Sequence, residues 1–382
     1  RLSLSHKGRR YTAYLERRPA DDAMGVDHIR VEITTEENGR LLRTLLQLKQ
    51  LAFSHFTQLV DQWDPRQALH ADAIQGRFHS NSEITLVSDG FAPSVGGKLT
   101  TSAGRVRADS FGVRALREIF RGGIETLVPP IGMPAEFPAL AKAAADHSKV
   151  HSFAHNTRVT FYADGSYGWR DLDANSAEER QQVSAPHYLV AGSGATIAVH
   201  GTVRGTVVVY SPEGIVVEGN LVYAHDPHGE DASDYLGLIS NKDVAVAGQS
   251  VTGPGDLKIQ AAIYARRRFF VPDGYAPPGP SACPCPATLF IDGSVSAGWL
   301  SPTEPRYATH YAFDPRFEHV RPPGFPVTDQ YEVESWDTQW REARADAPGS
   351  LEPSAAAPVE SAADGAGSAA IDAASATQFE HR

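Results

Sequence analysis

The chain has 382 residues, 41% of them hydrophobic, with two cysteines and a formal net charge of −11. That length and apolar fraction suffice for two or three domains or one long repetitive body. The acidic balance argues against a nucleic-acid partner, which needs a Lys/Arg excess against phosphate, and no apolar run approaches the roughly 20 residues that cross a bilayer as a helix.

In chain order, residues 1–70 read as a β unit followed by an amphipathic helix. Tyr11, Ala13 and Leu15 alternate with polar residues, the segment from His28 to Thr35 alternates again, and Glu37-Asn38-Gly39 supplies a turn. Between Leu45 and Trp63, the residues Leu48, Ala52, Phe56, Leu59, Val60 and Trp63 recur at helical spacing, and Asp64-Pro65 stops the run. Residues 71–186 read as β-rich with one short helix. Ile74 to Leu86 suggests strand, turn and strand; Gly96 to Thr100 continues the pattern; the Ala/Leu run from Ala135 to His147 predicts the helix; and Asp164-Gly165 turns a hairpin.

Residues 187–300 carry the clearest pattern. Short alternating apolar runs (Ile197/Val199, Val207/Val209, Ile215/Val217, Leu236/Leu238, Ile259/Ile263, Leu289/Ile291) are separated by Gly, Asn and Asp, with no helix-length segment between them. This predicts a mainly β fold whose body is a β-solenoid, β-helix-like, with strands stacked in sequence order and Gly201, Gly205, Gly219 and Gly293 at tight corners. A β-sandwich is the structural alternative. The proline- and aromatic-rich segment 301–341 is expected to cap an end of that body. The Ala/Ser/Gly/Pro-rich stretch 342–382 reads as a disordered tail.

Several segments together resemble a family of bacterial envelope proteins, pilin-like or associated with type IV pilus assembly, of the DUF4900 type. They are Ile74-Gln75-Gly76-Arg77-Phe78-His79-Ser80-Asn81, Gly214 to Leu221 with Asp234 to Ser240, Asp256 to Ala265, and Tyr311 to Phe317 with Pro322-Pro323-Gly324-Phe325-Pro326 and Trp336. The resemblance spans roughly residues 45–340. It implies an envelope, periplasmic or extracellular location, a β-rich body, pilus or other envelope proteins as partners, and no catalytic residues. Such proteins commonly begin with an apolar anchoring helix. This chain opens at Arg1 without one, as expected if an anchor or leader was removed or if none existed.

Candidate sites are few. The loop residues His225, Asp226, His228, Glu230, Asp231 and Asp234 bring hard oxygen and imidazole groups together and suggest Ca²⁺, against the plainer reading of a solvated connection. His147, His151 and His155 would align as metal ligands only on a continuous helix, which the strand beginning at Thr157 argues against. His79 and Ser80 invite a nucleophile reading, but neighbours on a strand face opposite ways, and Asn81 suits a turn closing its own backbone. Arg266-Arg267-Arg268 reads as a solvated strand edge. Arg316 reads as a bidentate lock between cap and body. Cys283 and Cys285 either close a small strained ring or stay reduced, and no second ligand pair completes a zinc set.

The function expected from these features is a non-enzymatic structural protein of the cell surface, in adhesion or scaffolding, with surface glycans as a second class of partner. The alternatives are a polysaccharide-acting β-helix enzyme, for which Asp171 and Asp173 are the available carboxylates, and a self-polymerising scaffold.

Overall fold

Two-residue turns organise the first part of the chain. Lys7-Gly8 and Asn38-Gly39 each place both residues at positive φ (49° and 76°; 53° and 76°), the hairpin geometry that matches strand twist. Leu2–His6, Arg9–Arg18, His28–Glu37 and Arg40–Ala52 are therefore successive antiparallel neighbours. Val327–Trp336 lies next to Arg40–Ala52, and Arg341–Glu342 also pairs with it. In this computed structural model residues 1–64, 68–69, 72–87, 92–108, 111–184, 186–272 and 285–343 are described. They fall into two compact units, one built from both chain ends (1–51 and 329 onward) and one spanning Ala52–Thr328. The tail beyond 343 and Cys283 lie outside the described residues.

The helix expected between Leu45 and Trp63 does not form. Arg40–Ala52 is a strand, Phe53–His55 is one 3-10 turn, and Gln58–Gln62 is a second strand. The helical spacing was coincidental, because Leu42, Thr44, Leu46 and Leu48 satisfy a period of two equally well, with Thr35, Ile33, Val31 and Ile29 opposite them. Beyond the turn, adjacent Leu59 and Val60 are both fully buried. An amphipathic surface helix would leave a polar face there.

The second unit is built on parallel ladders. In the first, Val150–Phe153, His187–Ala191, Thr206–Ser211, Tyr235–Ser240, 262–265 and 294–297 stand side by side. In the second, Thr157–Phe161, Ile197–Val203, Gly214–Tyr223, Asp243–Val246 and 268–270 do the same. In the third, 257–261, 287–293, Tyr307–Phe313, Ala73–Ile74 and Ser94–Val95 are in register, and Phe120 bridges to Val95. Each rung comes from a different pass of the chain, so strands adjacent in sequence sit in different ladders. Alternate residues such as Leu189, Val209, Leu238, Ile263 and Val295 form a continuous inward apolar row. Burying such rows is the main stabilising term, at about 25 cal/mol per Å² of apolar surface.

The rungs do not follow sequence order throughout. Gln58–Gln62 pairs with Val295 to Trp299, and Phe78–Ser80, Leu99–Thr101 and Ile124–Thr126 continue outward from it. The early rungs thus extend the stack beyond the late ones, and the chain must return from Thr126 to Val150 along its flank. Ile131 exchanges two hydrogen bonds with the Asn81 side chain, its N–H donating to Oδ1 (2.8 Å) and its carbonyl accepting from Nδ2 (2.7 Å). The Tyr264 hydroxyl donates to the Pro134 carbonyl (2.6 Å), and the Phe137 ring packs edge-on against Tyr264 and Tyr210. The helix expected from Ala135 to His147 shrinks to Pro138–Ala143, followed by the 3-10 turn His147–Lys149.

This return segment explains why the first ladder is apolar on both faces. Tyr210, Ile239, Tyr264 and Leu59 point away from the core row yet lie under covering chain. The segment expected to cap an end also lies on this flank. A Cβ at Gly237 would meet Pro322 at 3.1 Å and Phe325 at 3.2 Å, so 322–325 seals the middle of the ladder rather than its end. Boundaries expected at 70/71, 186/187 and 300/301 fall inside this one unit.

A five-residue phrase, apolar–x–(Gly or Ala)–x–apolar, marks the corner between the third and first ladders. It occurs at Ile74–Phe78, Val95–Leu99, Phe120–Ile124, Ile259–Ile263 and Ile291–Val295. The small residue is required by close stacking, since a Cβ on Gly97 would lie 2.2 Å from the Gly76 carbonyl oxygen. Gly97→Ala should therefore destabilise the unit by about 3 kcal/mol, whereas Gly132→Ala, where a Cβ meets nothing within 4 Å, should change it by less than about 0.5 kcal/mol. Denaturant unfolding of the two variants side by side measures the difference, and equal midpoints would refute the stacked corner.

Candidate functional site

Groups that bind or react must lie on the outer faces and loops, because the inward rows are apolar. The loop after Gly214–Tyr223 carries the six residues that suggested calcium. Asp234 is buried. Its Oδ1 accepts from the Gly205 amide (2.6 Å), and its Oδ2 from the His225 amide (2.8 Å), with His225 Nδ1 at 2.9 Å. Asp226 accepts from the His228 amide (3.0 Å). His228 Nε2 instead faces Asp292 Oδ1 at 3.9 Å, while Glu230 and Asp231 are exposed. Asp234 thus spends both oxygens on closing its own loop, as buried carboxylates do when amides surround them.

Beneath this loop lies a polar layer that the spacing did not show. Gln260 donates to Asp292 Oδ2 (3.0 Å) and accepts from the Tyr223 amide (2.8 Å). Asp314, fully buried, holds Arg316 through two parallel bonds (3.0 and 2.7 Å), and the guanidinium lies over the rings of Tyr235 (4.4 Å) and Tyr223 (5.1 Å). The expected Arg316 lock exists, but its carboxylate belongs to its own turn and its hold on the ladder is through aromatic faces. Tyr223 is kept well above the ordinary phenol range, first by burial and then by the Asp314 charge.

His147, His151 and His155 share no helix. His155 Nδ1 meets Asp171 Oδ2 (2.8 Å), and His155, Asp171 and Asp173 offer ligand atoms within 4.8 Å of one another. Asp171 Oδ1 already accepts from the Asp173 and Ala174 amides, and Asp173 accepts from the amide and side chain of Asn156. These bonds close a surface turn and hold the Asp171 carboxyl below its usual range, the Ala174 amide contributing most. His79 bonds Asn81 and Thr100 (2.7 and 2.8 Å), while Ser80 donates to the Ser82 carbonyl (2.9 Å), so the two side chains diverge as strand geometry requires. Asn81 does not serve its own turn; it clamps the return segment.

His151 contributes elsewhere. Its Nδ1 lies 2.8 Å from the Tyr167 hydroxyl, and His187 Nε2 lies 2.9 Å from the same oxygen. One hydroxyl carries one proton, so one ring accepts from it and the other donates to it. Burial, and then the neighbouring His151, depress His187 from 6.5 to about 4.

The remaining outer feature is a cleft of about 350 Å³ lined by Asp61, Gln62, Arg266, Arg267, Arg268, Gly298 and Trp299. It sits where the first ladder turns into the second, across three neighbouring rungs, and it joins residues more than two hundred positions apart. The ladder carries one extra residue between Ala265 and Arg268 opposite Ala297 to Trp299. Gly298 accommodates this bulge, as a Cβ there would lie 2.3 Å from the Arg266 carbonyl oxygen. Arg268 stacks over Phe270 at 4.0 Å. Sequence reading found the arginines but not the cleft, because Asp61 and Gln62 join it only through the pairing with Val295–Trp299.

No family model matches the chain, and no curated protein does so at a significant level. Among solved structures, the competence-associated pilin ComZ from Thermus thermophilus aligns over 90% of this chain and 88% of its own, at 14% identity and a TM-score of 0.35. No helix among the described residues is long and apolar enough to cross a membrane.

The His187 environment makes stability pH-dependent. The depressed folded value means that the unfolded chain binds the proton first, so stability is full above about pH 6.5 and falls as pH drops toward about 4. Thermal melts across that window should show the decline in the parent protein and a shallower one in His187→Gln; identical slopes would contradict the assignment.

Proposed function

We propose that this protein is a non-enzymatic structural module of the cell envelope or extracellular surface, with a β-solenoid body that serves adhesion or scaffolding in a type IV pilus or related surface assembly. The observation that supports it most is the parallel ladders around a continuous apolar row. Such a body is a stiff wall that presents outer faces, with each rung supported by its neighbours. The carboxylates available for polysaccharide cleavage, Asp171 and Asp173, have oxygens engaged by backbone amides, which favours a structural role for them. The strand Glu179–Gln182, paired antiparallel on one side of Ser166–Asp171, is exposed along its whole length and carries Glu179 and Arg180, a composition that resists edge-to-edge growth and counts against the self-polymerising alternative. The pilus assignment and the pilus or envelope partners rest on the ordered sequence elements alone.

Fractionation of cells expressing a tagged chain should place it with the envelope or the medium, together with pilus components on gentle cross-linking. Turnover of any member of a polysaccharide panel by the purified protein would replace this reading with the enzymatic one.

A further inference from the structure

We propose that the cleft at Arg266–Arg268 binds an acidic sugar unit, with a uronate carboxylate held by the guanidinium groups and the sugar ring resting on the Trp299 indole. The inference goes beyond the scaffold reading, which requires no ligand. Three adjacent arginines repel one another, and Asp243, at the outer limit of an ion pair from Arg267 and Arg268, offsets that only in part. The bulge does gather them: one inserted residue turns 266–268 outward at a corner, and Gly298 leaves room for the displaced carbonyls. Bulges commonly re-aim side chains in this way beside functional sites.

The donors are still available. Arg266 makes no hydrogen bond or ion pair among the described residues. Arg267 and Arg268 reach Asp243 only at 3.9 and 4.0 Å, the outer limit of an ion pair. Planar guanidinium matches planar carboxylate with two parallel bonds, which a point charge would not. Asp61 Oδ1 accepts from Asn81 (2.7 Å), leaving its second oxygen, with the Gln62 amide, to meet sugar hydroxyls. About 350 Å³ is at the small end of ligand clefts, with room for a short saccharide segment. A nucleic acid fits less well, because one aromatic provides one stacking platform and the chain as a whole carries −11.

Titration calorimetry with digalacturonate, using the whole protein at low salt, tests the assignment. Digalacturonate should bind, and neutral galactobiose should not. The triple variant Arg266→Gln, Arg267→Gln, Arg268→Gln should lose at least about tenfold in affinity while melting like the parent, and Trp299→Phe should bind more weakly than the parent. No binding of digalacturonate overturns the proposal, as does equal binding by the triple variant. Inorganic sulfate binding as tightly as digalacturonate would reduce the cleft to a general anion site, and tighter binding of an oligothymidylate would assign it to nucleic acid; either result rejects the sugar.

Discussion

The pairing of Gln58–Gln62 with Val295–Trp299 is the constraint on which the second unit depends. It joins an early rung to a late one, and everything on either side follows from it. Outward from it run the rungs at 78–80, 99–101 and 124–126; inward run those at 294–297, 262–265 and 235–240. The same junction carries Ile74 opposite Tyr311 in the third ladder. A pairing this distant in sequence carries a loop-closure cost that local strands do not, so the early rungs gain a template only when the late ones exist. Phe53 reinforces the junction: its amide donates to the Pro326 carbonyl, its carbonyl accepts from Ser296, and its ring meets Tyr264 edge-on.

Once the rungs are ordered in this way, the return of the chain from 126 to 150 is obligatory, and the flank it covers becomes a second interior. That accounts for residues with no place in a simple alternating strand. Tyr264 is fully buried on an outward position and finds its acceptor in the Pro134 carbonyl. His79 is buried beside Asn81, and burial lowers its affinity for a proton although the Asn81 bond opposes this. Burial likewise lowers the proton affinity of His151, His187 and His200, so the unit is sensitive to acid through the same physics.

Much of the local structure was legible. Asn38-Gly39 and Asp164-Gly165 turn hairpins where they stand, and the apolar alternation from 197 to 291 marks inward positions correctly because each strand there obeys its own period. What failed did so where tertiary covering overrides period. Leu59 and Val60 are both buried because one faces the core row and the other the covered flank, and a sequence window reads two adjacent buried residues as helix. The corner phrase repeated at 76, 97, 122, 261 and 293 was available as a signal, but its spacing is uneven, and its meaning depends on Gly76, Gly97 and Gly122 lying on top of one another. The loop carboxylates depend on the fold in a different way. Asp234 and Asp226 are close in sequence, yet the partners that decide their chemistry, Gly205 for one and the loop's own amides for the other, are set by the fold.

The arginine cleft shows the same dependence in its strongest form. On the sequence, Arg266-Arg267-Arg268 is a short basic run in an acidic chain, and a run of that kind most simply stays solvated at a strand edge. Its surroundings alter the electrostatics. The inserted residue puts three positive charges at one corner, and the distant segment Asp61-Gln62 brings one carboxylate and one amide to its rim, so with Asp243 three guanidinium groups face two carboxylates there, in a chain that is negative as a whole. A small anionic group is drawn to such a corner, while an extended polyanion meets the like charge of the rest of the acidic chain. The selectivity for a short acidic segment therefore arises from the contrast between corner and whole, and the pairing that completes the stack also completes the cleft.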